Sequence, residues 1–213
     1  MHSPPGNGRL LPGPPLFPTV NLPNWITLGR IGLTAVFVIG ITIGSPLGHL
    51  VGLVAFILAA ISDFFDGYLA RKLDLVTAFG KLMDPLADKI LTSSAFLFLA
   101  VRDLCPAWVA ILILTREFLV TGLRQIAVDQ GQIIAADWSG KWKTTFQLTF
   151  CITALVWVYL ESAGIDNLLT TLSRPDGWIQ PVSLWGALAL SIFSGVQYTW
   201  NARALFQHHG RTG

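Results

Sequence analysis

Asp63, Asp66, Asp84 and Asp88 stand within or at the ends of two strongly apolar stretches, where a carboxylate placed at the centre of a membrane span costs about 2.5–3.5 kcal/mol. Asp63 and Asp66 are three residues apart and Asp84 and Asp88 four apart, so on helices each pair projects from one face. Two such helices side by side make one pocket. Four carboxylates gathered there repel one another and hold protons unless a divalent cation supplies the opposite charge. Oxygen-only ligands favour Mg²⁺ or Mn²⁺. A single aspartate near a span end is ordinarily a solvated cap or a topology marker. Two register-matched pairs are different, because burying them without metal or proton is costly.

The neighbouring residues suit such a pocket. Gly67 and Ala70 leave room on the first aspartate-bearing helix for a ligand or a second helix to approach. Arg71, two turns beyond Asp63, lies on roughly the same side, and its planar fork suits phosphate oxygens. Gly80 precedes the second pair by one turn, and Pro85 fits a first helical turn or a kink. A second group is basic: Arg116, Arg124, Lys141 and Lys143 fall on the fourth apolar stretch, the following connection and the start of the fifth. They are candidates for a phosphorylated acceptor. Arg116 stands inside an apolar stretch beside Glu117, where an unpaired guanidinium is expensive, so either bound phosphate or that glutamate must offset it. Lys141 and Lys143 read either as substrate contacts or as cytoplasmic topology signals. Asn24, Thr27 and Arg30 recur at helical spacing and face a donor head group, or else serve as a cap and an interfacial charge.

The elements that must position these groups follow from composition. Of the 213 residues, 53% are hydrophobic and 12% charged, about half the charge of a soluble domain. A span needs roughly 20 apolar residues. Six stretches qualify: Trp25–Gly44, Leu50–Leu73, Lys81–Val101, Ala107–Asp129, Thr144–Leu160 and Val182–Phe206. Backbone groups cannot be left bare in lipid and barrel-type alternation is absent, so the expected fold class is all-α, an integral membrane bundle of six transmembrane helices. Residues 1–22 read as a disordered Pro/Gly-rich leader, 23–207 as one membrane domain and 208–213 as a short tail. Basic residues concentrate at the termini and the second and fourth connections, which predicts cytoplasmic N- and C-termini. The stretch from Glu161 to Pro181, with its Gly, Asn and Pro residues, reads as an extracytoplasmic loop. Six tryptophans near span ends suit the headgroup region. Cys105 and Cys151 are expected as buried, reduced thiols, and His49, His208 and His209 as solvent-facing loop or tail residues. A net charge of +2 argues against a nucleic-acid partner. Intramembrane acids also mark ion pathways, so an ion-coupled transporter is the rival class, although no internal repeat supports it. A noncatalytic metal-binding scaffold is the third.

Asp63, Asp66, Gly67, Ala70, Arg71, Gly80, Asp84 and Asp88 reproduce a D-x-x-D-G-x-x-A-R-x8-G-x-x-x-D-x-x-x-D pattern. On these residues the chain resembles the CDP-alcohol phosphatidyltransferases, with no departure from the motif. The resemblance implies a two-metal site in the inner membrane, facing the cytoplasm, with Asp63, Asp66, Asp84 and Asp88 around the metals and Asp88 also placed as general base. It implies that Gly67, Ala70, Arg71 and Gly80 line the donor's cytidine diphosphate pocket, and that the protein is a homodimer. Three further stretches, Leu22 to Arg30, Asp84 to Lys89, and Arg116 to Phe118 with Gly140 to Thr145, look most like members that use CDP-diacylglycerol and glycerol 3-phosphate. The D-P-x-A-D-K element is shared with cardiolipin-forming members, so phosphatidylglycerol or an inositol derivative is the alternative acceptor.

Overall fold

The computed structural model describes residues 22–73, 78–129 and 138–207; at 22–26, 63–73, 78–85, 88, 129, 138–139, 202 and 204–207 it describes the helical backbone alone. Within these residues the fold is all-helical, with seven helices and no strand. They are α1 (Leu22–Ile43), α2 (Pro46–Leu73), α3 (Ala78–Val101), α4 (Ala107–Asp129), α5 (Trp138–Ala163), α6 (Leu168–Ser173) and α7 (Ile179–Gln207). The six expected stretches coincide with the six long helices. Several helices begin before the apolar run does, α5 six residues before Thr144, because a helix continues past the point where its side chains stop being apolar. Lys141 and Lys143 are therefore helical and not part of a connection.

Local sequence explains the ends. Gly44 terminates α1 at φ +70°, and Ser45 caps α2, its Oγ accepting from the Gly48 N–H at 3.1 Å, with Pro46 at the first helical position. Gly164 ends α5 at φ +65°, with the Ile165 N–H reaching back to the Leu160 carbonyl at 3.0 Å. Asp103 takes the equivalent left-handed conformation after α3, at φ 57°, where the Leu104 N–H bonds the Leu99 carbonyl at 2.9 Å. The Glu161 to Pro181 stretch is more ordered than expected. Asn167 and Thr170 form a reciprocal capping box that starts α6, a signal readable in the sequence once the acid of the usual box is allowed to be a threonine.

Side-chain size then sets the packing. α1 packs on α2 and α3, α5 runs among α2, α3, α6 and α7, and α4 lies against α3 and α7. Among the described residues α4 and α5 are not direct backbone neighbours, so only long side chains bridge them. The α1–α2 contact depends on glycine: a Cβ on Gly48 would stand 2.5 Å from the Gly40 carbonyl oxygen, and one on Gly40 2.9 Å from the Gly52 nitrogen. Phe37, Phe56, Phe96, Leu99, Val109, Ile113 and Phe150 fill the middle, with Phe96 and Phe150 stacked at 5.7 Å. Cys105 and Cys151 are both buried free thiols, as expected.

The outside is apolar. Ile43, Leu47, Val101, Ile111, Phe193 and Val196 are among the large side chains left exposed, far more than a water-facing surface ordinarily carries in one band. Gly140–Ala163 and Ile179–Asn201 are each long and apolar enough to cross a membrane, and α1, α2 and α3 contribute shorter apolar runs. Trp108, Trp142, Trp178 and Trp200 are exposed, as anchors would be. His49 is a correction. It was expected in solvent, but α2 begins early enough to include it, and it is buried with its ring 6.4 Å from that of Phe98. His208 and His209, with the leader and tail, lie outside the described residues.

Candidate active site

The aspartates sit where two helices can present them. Asp63 and Asp66 belong to the second half of α2, and Asp84 and Asp88 to the first half of α3, both helical in backbone at those positions. The spacing therefore keeps each pair on one helical face. Their side chains, and those of Asn24, Gly67, Ala70, Arg71 and Gly80, lie outside the described residues, as do any contacts they make. The donor set itself fits a hard divalent cation: four carboxylates and no sulfur or imidazole in the motif.

One residue beyond Asp88 the side chains are described, and they converge on Glu117. Glu117 lies midway along α4 and is 3% exposed. Lys89 of α3 reaches its Oε2 at 2.9 Å. Oε1 accepts from Lys143 of α5, from Arg116 Nη1 at 3.2 Å and from Gln147 Nε2 at 3.3 Å. Gln147 also approaches Ser191 Oγ of α7 at 3.5 Å. Lys143 and Gln147 share a face of α5 because they are one turn apart. The result is one buried carboxylate tying α3, α4, α5 and, through Gln147, α7.

Of the basic residues read from the sequence, the fold brings Arg116 and Lys143 together and leaves the other two apart. Lys143 is buried. Arg116 keeps its pair with Glu117, while its buried Nε has no hydrogen-bond partner among the described residues. Gly195 of α7 makes space for it, since a Cβ there would lie 3.0 Å from Arg116 Cγ. Arg124, two turns along α4, is exposed with its guanidinium 5.8 Å from the centre of the Tyr198 ring. Lys141 is exposed too, and a two-residue offset points it almost opposite to Lys143. Thr27 and Arg30 are buried on α1. Lys89, Gln147 and the hub role of Glu117 were not foreseen. Helical spacing shows which groups share a face of one helix, but not which faces of three helices meet. The readable trace was an acid inside an apolar run with an i, i+4 Lys–Gln pair elsewhere.

Chemically, Glu117 gathers three cations, Lys89, Arg116 and Lys143, from α3, α4 and α5, the first of these being the helix that carries Asp84 and Asp88. That is a setting for anionic substrate next to an acidic metal-type motif. A chain from Bacillus subtilis named CDP-diacylglycerol--glycerol-3-phosphate 3-phosphatidyltransferase is 41% identical over 198 residues, spanning 85% of this chain and 96% of its own. A Rickettsia bellii protein of the same name is 38% identical over 178 residues, with 84% and 93% covered. A Mycobacterium tuberculosis protein named probable phosphatidylglycerophosphate synthase is 36% identical over 190 residues, with 87% and 82% covered. The profile described as CDP-alcohol phosphatidyltransferase matches residues 20–193, which takes in both aspartate pairs and the Glu117 cluster, and the chain belongs to the CDP-alcohol phosphatidyltransferase family.

Proposed function

We propose that this protein transfers the phosphatidyl group of CDP-diacylglycerol to glycerol 3-phosphate, giving phosphatidylglycerophosphate and CMP. The relatives that carry this activity in their names support the substrates. The observation that supports a phosphorylated acceptor is the gathering of two basic side chains, Arg116 and Lys143, inside the bundle at Glu117. Arg124 and Lys141, both exposed, serve as outer charges that draw an anion inward.

In this reading Asp63, Asp66, Asp84 and Asp88 hold two Mg²⁺ or Mn²⁺ ions. Bound there, the ions supply neutralisation of the diphosphate and of the departing CMP. Asp88 accepts the proton of the acceptor hydroxyl as its oxygen attacks the phosphorus that carries diacylglycerol. The new P–O bond forms as the bond to CMP breaks, and CMP leaves with the electron pair. Gly67, Ala70, Arg71 and Gly80 bound the cytidine diphosphate pocket, with Asn24 and Thr27 on the α1 side. Arg116 and Lys143 hold the acceptor by its phosphate so that the free hydroxyl meets the reacting phosphorus.

The same reading has six spans in the cell's inner membrane, a homodimer, and cytoplasmic termini and active site. The apolar exterior and the distribution of Lys and Arg support it. Donor lipid then enters sideways with its acyl chains in the bilayer, and the soluble acceptor arrives from the cytoplasm. The test is purified protein in detergent with CDP-diacylglycerol, Mg²⁺ or Mn²⁺ and a panel of alcohols, the lipid product identified by mass. Phosphatidylglycerophosphate with stoichiometric CMP is expected. CMP released with phosphatidylglycerol or an inositol derivative, and not with glycerol 3-phosphate, refutes the acceptor assignment.

A further inference from the structure

We infer that α6 and the turn after it form a lipid-binding interfacial element, with Leu168, Leu169, Leu172 and Trp178 seated in the headgroup–acyl boundary of the leaflet opposite the aspartate end. The inference rests on the membrane-spanning part of the reading above and is independent of the reaction.

The segment is inside out for a loop in water. Leu168 is 73% and Leu169 58% exposed, with Leu172 exposed beside them, while Thr170 and Ser173 are only 5% and 3% exposed. An amphipathic helix in water does the reverse, because burying leucine is favourable and burying a hydroxyl is costly unless it is bonded. Here the inward polar groups are bonded. Thr170 Oγ1 donates to the Ile165 carbonyl at 2.8 Å, Ser173 Oγ to the Leu169 carbonyl at 2.7 Å, and Gln180 Nε2 of α7 to the Ser173 carbonyl. The reciprocal cap between Asn167 and Thr170 holds the helix in this rotation. Its three leucines then share an arc of about 100°. The polar side faces the bundle, where α6 packs on α5 and α7, and the leucine side faces away from it.

The surroundings say what covers the leucines. Trp178 leads directly into the membrane-length run Ile179–Asn201, its carbonyl accepting from the Val182 N–H at 3.1 Å. Trp178, Val182 and Trp185 recur at helical spacing and are all exposed, and the Trp185 ring lies 5.9 Å from that of Trp108 of α4. The apolar side of α6 thus joins the rim of the apolar exterior, the level at which tryptophans concentrate. Asp166, Arg174 and Asp176 are exposed around it, and charged groups are accommodated among headgroups but not in hydrocarbon. A leucine face bounded by charges, on a helix too short to span, matches a helix lying in the plane of the interface.

The test attaches a spin label to single introduced cysteines in the full chain, reconstituted in vesicles of phosphatidylcholine and phosphatidylglycerol. Depth is read from collisions with lipid-soluble oxygen against those with a water-soluble nickel chelate. Cys105 and Cys151 are buried, and unsubstituted protein gives their background. Leu169→Cys and Leu172→Cys are expected about 5–10 Å into the boundary, between Phe193→Cys within the α7 span and Asp176→Cys in water. Nickel-dominated collisions at both leucine positions, with oxygen dominant at Phe193→Cys, overturn the placement of α6 alone. Nickel dominant at Phe193→Cys as well means that the membrane-spanning reading has failed and the inference with it. Exclusion of both reagents from the leucine positions shows cover by protein, a second copy included, and also overturns the inference. Unsubstituted protein supplies a second reading that no misfolded variant can confuse. A phospholipid with a diazirine near the headgroup end of its acyl chain is expected to photolabel the stretch from Leu168 to Arg174, and labelling confined to the long helices overturns the inference.

Discussion

Replacing Lys143 with methionine removes one cation from the Glu117 cluster while keeping most of the side chain's length. Glu117 retains Lys89 at 2.9 Å, Arg116 at 3.2 Å and Gln147 at 3.3 Å, so the about 3–5 kcal/mol cost of orphaning a buried charge does not apply and the protein should fold. The acceptor, by contrast, loses one charged hydrogen bond, worth about 1.5–3 kcal/mol. At about 1.4 kcal/mol per factor of ten, the KM for glycerol 3-phosphate rises on the order of 10- to 100-fold. The donor KM stays near its original value, because nothing in the proposed donor pocket has changed. Lys141→Met is the matched control: it removes the same charge from an exposed site on the opposite side of α5, where a surface charge is worth about 0–1 kcal/mol and the KM rises less than about fivefold. The assay is CMP release in detergent with each substrate varied at saturating partner. Equal rises in both KM values for Lys143→Met, or a larger acceptor effect from Lys141→Met, would refute the reasoning.

Chelation with EDTA should abolish turnover, Mg²⁺ or Mn²⁺ should restore it, and Asp63→Ala or Asp84→Ala should not be rescued by either ion; Asp88→Asn should still bind CDP-diacylglycerol but release no CMP. Gly48→Leu should destabilise the fold by at least about 1–3 kcal/mol, because its first carbon would meet the Gly40 carbonyl oxygen at 2.5 Å; Gly122→Ala, with nothing within 4 Å of the new carbon, should leave the melting temperature equal or higher. Burial pushes the Cys105 thiol up to about 11, so in the folded protein its maleimide labelling is slow near neutrality and climbs with pH until that value, since only the thiolate reacts. Fast labelling at pH 7 without denaturant contradicts the buried placement.

Much of the architecture is legible in the sequence because lipid imposes simple demands. A run of about 20 apolar residues must be helical, and each of the six runs is. What the sequence does not carry is helix rotation. Arg116 beside Glu117 is readable as a pair, but Lys89, Lys143 and Gln147 join that pair from helices whose facing sides are settled only by packing around Phe96, Phe150 and Ile113. His49 shows the same gap, since its fate depends on where α2 starts and on Phe98 of a different helix. The helical backbone at both aspartate pairs is legible from the sequence, and intervals of three and four residues put each pair on one face of its own helix without knowledge of the rest of the bundle.

The glycines of the α1–α2 hairpin limit how a lipid substrate can travel. Where Gly40, Gly48 and Gly52 bring two backbones into contact, no hydrocarbon tail can slip through. At the turn end of the hairpin that seam is closed to an acyl chain, and the aspartates of α2 lie well beyond it, at the other end of the helix.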